Sequence, residues 1–210
     1  MAIIDKPSDY FNTLLYTGDD ADRSFTGVGF QPDLTWIKAR NNTTWHLLYD
    51  AVRTAGTGKE LHSNSTQTEG ASNSSLYGYL SSFDSDGFST VNGSNATDAL
   101  NQSGKTYAAW NWKAGTSFTN DASATGIGSI DSSGSVNQDA GFSICSYTGA
   151  GGVITVKHGL NTVPSVIITK NLADANHWGV YHHKNTTAPQ TDFLYLSDTR
   201  ATTDDATMWN

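Results

Sequence analysis

One cysteine, four prolines and charges on only 15% of 210 residues leave this chain without several common means of holding or addressing a protein. The lone Cys145 excludes an internal disulfide, and within "FSICSY" it reads as a small buried hydrophobe. No stretch approaches the roughly 18 apolar residues that a membrane-spanning helix needs, so no membrane insertion is expected. The opening "MAIIDKPSDYF" lacks a basic segment followed by a long apolar run, so no signal peptide is expected. Basic residues are scarce as well. Twelve Lys and Arg against twenty Asp and Glu give a net charge of −8 with no basic stripe, which excludes nucleic acid as a partner class. The surface must be made polar by Ser, Thr, Asn and Gly, and the sequons in "NNTT" and "NGSNAT" follow from that abundance. These absences together describe a soluble protein made in a reducing cytoplasm.

Helix signals are also missing, because Gly and Ser interrupt every window before a 3.6-residue period can establish itself. What is present is a series of short aromatic and β-branched runs bounded by Gly, Asn, Asp and Ser, the pattern of closely spaced strands. Strands are expected at Phe11–Tyr16, Leu34–Ala39, His46–Ala51, Tyr77–Phe83, Gly87–Val91 and Thr106–Lys113. "DSDG" between Phe83 and Phe88 reads as a hairpin turn with Gly87 at positive φ. In "TYAAWNWKA", Trp110 and Trp112 fall on one face and Tyr107 and Ala109 on the other, as in a packed sandwich.

The chain then repeats itself. "FNTLLYTG" at Phe11 returns as "FSICSYTG" at Phe142, a shift of 131. Pro32 and Lys38 return as Pro164 and Lys170 at a shift of 132, and Trp45 and Tyr49 as Trp178 and Tyr181. Tyr-Thr-Gly closes a strand, proline opens the next where its missing N–H costs no ladder bond, and Leu34 and Trp36 correspond to Val166 and Ile168 as an inward face. Such detail at long spacing indicates a duplicated supersecondary unit. The fold class is therefore all-β: tandem β-sandwich modules, jelly-roll or lectin-like, from an internal duplication. The first occupies 1–115, a polar Gly/Ser-rich linker with one weak hairpin around "IDSSGSV" occupies 116–140, and the second occupies 141–210. The second copy lacks counterparts of Tyr77–Phe83, Gly87–Val91 and Thr106–Lys113, which would leave open edges. Either the chain is part of a longer protein, the preferred reading, or neighbouring chains supply the strands.

Catalytic signatures are absent: no nucleophile elbow, phosphate loop, H-E-x-x-H or Cys/His zinc spacing occurs. No enzyme activity, metal or cofactor is expected. His182-His183 would point to opposite faces of a strand, and Asp84 and Asp86 lack the later acidic anchor of a calcium loop. Aromatic rings are the weak binding candidates, since Trp and Tyr stack on sugars. Trp45 and Trp178 follow polar loops, and Tyr77 and Tyr79 alternate as if on one sheet face; core packing is the favoured role for each.

The phrases "YTG", "GFQPDLTWIK", "W…YDAVR", "FDSDGF" and "YAAWNWKAG" resemble the repeat domain of tail-fibre-like structural proteins of marine tailed bacteriophages, of the cyanophage and pelagiphage type. The likeness covers Tyr16–Gly18, Gly29–Lys38, Trp45–Arg53, Phe83–Phe88 and Tyr107–Gly115, and departs at Asn111, where that family often has cysteine. It implies a virion structural protein, a tail fibre or fibre-like appendage, with Met1 at the particle-docking end and a distal part that binds a host surface glycan. Partners would be other virion proteins and, by analogy with fibres, further copies in a homo-oligomer such as a trimer. A capsid decoration or tail-adaptor protein, and a glycan-binding module without virion role, are the alternatives.

Overall fold

The computed structural model describes residues 4–94 and 99–209; Met1 and the Asn95 sequon lie outside them. Eight strands build the first copy: β1 Phe11–Thr17, β2 Arg23–Thr26, β3 Leu34–Ala39, β4 Leu47–Asp50, β5 Leu61–His62, β6 Tyr79–Asp84, β7 Gly87–Val91 and β8 Thr106–Trp112. They form two antiparallel sheets, ordered β1-β8-β3-β4-β5 and β2-β7-β6. Tyr16, Ile37, Tyr49, Tyr107 and Ala109 from the larger sheet close on Phe25, Leu80 and Phe88 from the smaller. Large apolar side chains such as Ile37, Phe25, Leu80 and Phe88 each contribute roughly 1.5–3 kcal/mol on burial. The protein is thus all-β, and this half is a two-layer sandwich. Two strands of the sandwich, β2 and β5, are too short to show a period in the sequence.

The larger sheet departs from expectation in which face is inward. Thr35 and Ile37 are 0% exposed, whereas Leu34 and Trp36 are half-buried on the opposite face. Val166 and Ile168 are not enclosed at all, at 48% and 47% exposure. Both faces of β3 are lined with residues that pack, so alternation alone did not identify the core side. Tyr77 also departs: it ends a one-turn helix, α1 Ser74–Tyr77, and Gly78 at φ 73° separates it from β6, so Tyr77 and Tyr79 do not share a sheet face.

The turn at Ser85-Asp86 joins β6 to β7, with Asp84 opposite Gly87. Gly87 is required there because a Cβ would stand 2.0 Å from the Phe25 carbonyl oxygen. The Asp86 carboxylate accepts the Gly27 and Gly29 amides at 3.0 and 2.6 Å, and these bonds hold its pKa below the usual range. Asp84 accepts the hydroxyls of Ser82 and Ser89.

Residues 116–140 are folded. They contain β9 Thr116–Asn120, α2 Ala122–Thr125 and β10 Ser132–Asn137, and β10 lies between β9 and β11 Phe142–Tyr147. Gly134 and the serines of β10 carry little apolar pattern, which is why this stretch reads as linker. It is tied to the first copy through buried Asp33, whose carboxylate accepts the Ala114 amide at 2.9 Å and the Ser135 hydroxyl at 3.1 Å. Cys145 on β11 is half-buried rather than buried, and its thiol donates to the Lys157 carbonyl at 3.3 Å.

The remaining strands are β12 Val166–Thr169, β13 Gly179–His182, β14 Asp192–Tyr195 and β15 Thr203–Asp204, in that order within one sheet. Adding 132 to both members turns the pair Leu34↔Asp50 into Val166↔His182, and Ile37↔Leu47 into Thr169↔Gly179. The β3–β4 register therefore recurs in β12–β13. Nothing among the described residues of this half takes the place of β8, and β11 and β12 stand in separate sheets.

The glycine of Tyr-Thr-Gly makes the difference between copies testable. A Cβ on Gly18 would lie 2.1 Å from the Gln102 carbonyl oxygen, in the lead-in to β8, whereas one on Gly149 meets nothing within 4 Å. Gly18→Ala should lower stability by about 1–3 kcal/mol through forced displacement, and Gly149→Ala should change it by less than about 0.5 kcal/mol. Urea midpoints of the two variants check this.

Candidate functional site

The irregular segment between β4 and α1 is short of apolar residues and is held by ionic groups instead. Arg53 sits at its root. Its amide and Nε donate to the Asp50 carboxylate at 2.9 and 2.6 Å, and Nη1 donates to the Lys59 carbonyl at 3.0 Å and Glu69 Oε1 at 2.9 Å. The Arg53 and Asp50 side chains are 10% and 8% exposed. Lys59 adds a longer contact to Glu69 at 3.6 Å. The planar fork lets one side chain bind three places along the segment.

Beside this cluster stand Glu60 and His62, both buried. His62 Nδ1 meets Gln67 Oε1 at 2.5 Å, its Nε2 meets the Ser72 hydroxyl at 2.9 Å, and the Ser72 amide donates to Glu60 Oε1 at 2.8 Å. Two of the predicted aromatics close over it. Trp45 stacks on the His62 ring at 4.8 Å, and Tyr77 meets Trp45 edge-on at 5.5 Å. Tyr79 lies apart from them, on β6, packed against the sandwich core. Trp45, Tyr77 and Tyr79 are all half-buried.

Burial pushes the His62 pKa down and the Glu60 pKa up. For His62 the stabilising contribution is complete above its ordinary value near 6.5 and is lost as pH falls through the lower, folded value. For Glu60 the sign is opposite: its contribution is present below the ordinary carboxyl range and is lost as pH rises through the raised folded value. His62→Gln should therefore flatten the acid limb of the stability curve below about pH 6.5. Denaturant midpoints measured from pH 5 to 8 test it; an unchanged slope would exclude His62 as the sensor of that limb.

Trp178 occupies a different kind of position. It is 4% exposed and packs with Leu48, Leu61, Leu34 and Trp36 on the outer face of the first copy's large sheet, together with Leu172 and Leu196. Its indole N–H donates to the carbonyls of His62 at 2.9 Å and Ser65 at 3.2 Å. Trp45 and Trp178 match in sequence, yet the first packs within its own copy and the second joins one copy to the other.

The repeated lysines do the same work twice. Lys38 Nζ donates to the carbonyls of Ala39 and Asn42, both at 2.6 Å; Lys170 Nζ donates to those of Asn171 at 2.6 Å and Asp174 at 3.2 Å. Each lysine clamps the turn that follows its strand, one and four residues on, and desolvation lowers both pKa values. His182 ends β13 and His183 lies just past it, so their rings stack at 5.2 Å instead of facing apart.

Exposed large apolar side chains lie mainly on the second copy. Val153 and Val163 are 75% and 84% exposed, and a shallow depression of about 460 Å³ runs along His158 and Leu160 to Pro164. A second depression of about 450 Å³, lined by Asp121, Asp131, Ser133 and Tyr147 among others, crosses the β9-β10-β11 sheet. No group of three or more His, Cys, Asp or Glu among the described residues could hold a metal ion. No helix of the described residues is long and apolar enough to cross a membrane.

These features define an all-β, sandwich-like protein whose predicted aromatics and strongest ionic groups are engaged in packing. Residues 6–210 match one family model, described as Domain of unknown function (DUF7483), and the chain belongs to that family. The match runs through both copies and the segment between them. No curated protein and no solved structure matches the chain.

Proposed function

We propose that this chain is a structural protein of a tailed-phage virion, part of a fibre-like appendage, assembled from a duplicated sheet unit and without catalytic activity. The observation that carries the reading is the junction at Trp178. One copy inserts an indole into the outer face of its neighbour's sheet and hydrogen-bonds to that neighbour's backbone. Units that dock on one another's sheet face in this way suit a protein that builds length by stacking. The resemblance of "FDSDGF" and "YAAWNWKAG" to phage fibre repeats supports the same reading, as does a surface made polar by Ser, Thr and Asn rather than by charge.

Labelling intact particles with an antibody raised against the chain tests the proposal. Labels along a tail appendage are the expected outcome, and labels on the head would favour the decoration reading instead. Sedimentation of the purified chain should show an oligomer, a trimer by analogy with fibres. A monomer at every concentration, on a chain that labels no particle, would overturn the proposal.

A further inference from the structure

The first copy shows what normally lies beside β3, and the second copy shows the same strand with that place open. In the first copy the Ala51 amide donates to the Asp33 carbonyl at 2.8 Å, and in the second the His183 amide donates to the Ser165 carbonyl at 2.9 Å. Backbone groups alternate sides along an antiparallel strand. The Asp33 carbonyl, Thr35 and Ile37 therefore address β4, and Leu34, Trp36 and Lys38 address β8; the Asp33 amide, just before the strand begins, donates to the Trp112 carbonyl of β8 at 2.8 Å. The Arg40 amide, next in that even series, donates to the Thr106 carbonyl at 2.6 Å. By the same alternation the Ser165 carbonyl, Ile167 and Thr169 address β13, while Val166, Ile168 and Lys170 turn their backbone groups to the other edge. β12 has no neighbour on that edge among the described residues. Val166, Ile167 and Ile168 are 48%, 36% and 47% exposed. An apolar strand with an unpaired ladder is a pairing site that proteins ordinarily blunt or cover.

We propose that the open edge of β12 is an acceptor for an added strand of β8 type, paired antiparallel in the register that β8 keeps with β3. That register pairs Leu34 with Trp112, Trp36 with Trp110, Lys38 with Ala108, Thr35 with Asn111 and Ile37 with Ala109. Transferred by 132, it sets an aromatic residue opposite Val166 and another opposite Ile168, covering the two exposed side chains, with a small residue opposite Lys170. On the other face a polar residue meets Ile167 and a small one meets Thr169. The ligand is thus an extended segment that alternates aromatic and small or polar side chains, bound mainly by main-chain hydrogen bonds, as in strand addition. The β8 of a second copy of this chain does not supply it, since that strand is held between β1 and β3. The inference rests on the strand register and not on the virion reading.

The test adds a synthetic peptide of residues 105–113, "KTYAAWNWK", to the isotope-labelled full chain and follows amide exchange by NMR. Saturable one-to-one binding is expected, with the Val166 and Ile168 amides exchanging at least about tenfold more slowly. Peptides N-methylated at single positions then read the register. Methylation at Ala108 or Trp110, whose amides face β12, should weaken binding about tenfold or more. At Ala109 or Asn111, whose amides face away, it should change binding by no more than about twofold. No saturable binding overturns the proposal, and so does equal loss at all four positions. Protection of the Val166 and Ile168 amides in the chain alone, at concentrations where it self-associates, also overturns it by making a second copy the occupant.

Discussion

Replacing Trp178 with alanine should release the second copy from the first while leaving the first folded. The indole is almost wholly buried, packs with Leu48, Leu61, Leu34 and Trp36, and donates to the carbonyls of His62, at the end of β5, and Ser65, just after it. Removing a buried tryptophan costs about 3–5 kcal/mol. Among the described residues, Trp178 is the only fully buried hydrophobic residue of the second copy at this junction; Leu172 and Leu196 are partly buried beside it, and the Glu69 amide donates to the Leu172 carbonyl at 3.0 Å. Thermal unfolding of the variant should split into two transitions, and protease should cut first between residues 160 and 205. Trp45→Ala should leave the junction intact and weaken the first copy instead, because Trp45 packs on His62 and Tyr77. A single unshifted transition in the Trp178 variant would mean that the junction contributes nothing.

The second large effect is expected at Arg53. Truncation to alanine strands the Asp50 carboxylate at 8% exposure and removes the bonds that fasten Lys59 and Glu69. Breaking a buried pair from one side costs about 3–5 kcal/mol, because the remaining charge is left uncompensated. Arg53→Lys restores the charge but not the fork, so it should recover less than half of the loss. Urea denaturation of both variants measures this. An alanine variant within about 1 kcal/mol of the parent would show that the segment between β4 and α1 is held by its backbone alone.

These two residues also mark how far the sequence could be read. Arg53 belongs to a quoted motif, but nothing in its spacing relates it to Glu69, because that contact depends on the path of an irregular loop. Trp178 was legible as a recurrence of Trp45, which pointed to core packing but not to which copy it packs against. The junction it makes requires the second copy to lie against the first, which no periodicity encodes. His62 was visible only as an isolated histidine, since β5 is two residues long and its burial arises from the elements around it. The β12–β13 register, by contrast, was implicit in the repeat. Equal spacing between Pro, Lys and Tyr in the two copies constrains the same pairing twice.

What the sequence determined alone was the class: short alternating runs with no helical period can satisfy their backbone groups only in sheets, and two matching runs form matching pairs. Tertiary structure decided which side of each sheet is interior. A two-residue period separates the faces of a strand but does not say which face meets another layer when both carry packing side chains. That is why Thr35 and Ile37, not Leu34 and Trp36, line the sandwich.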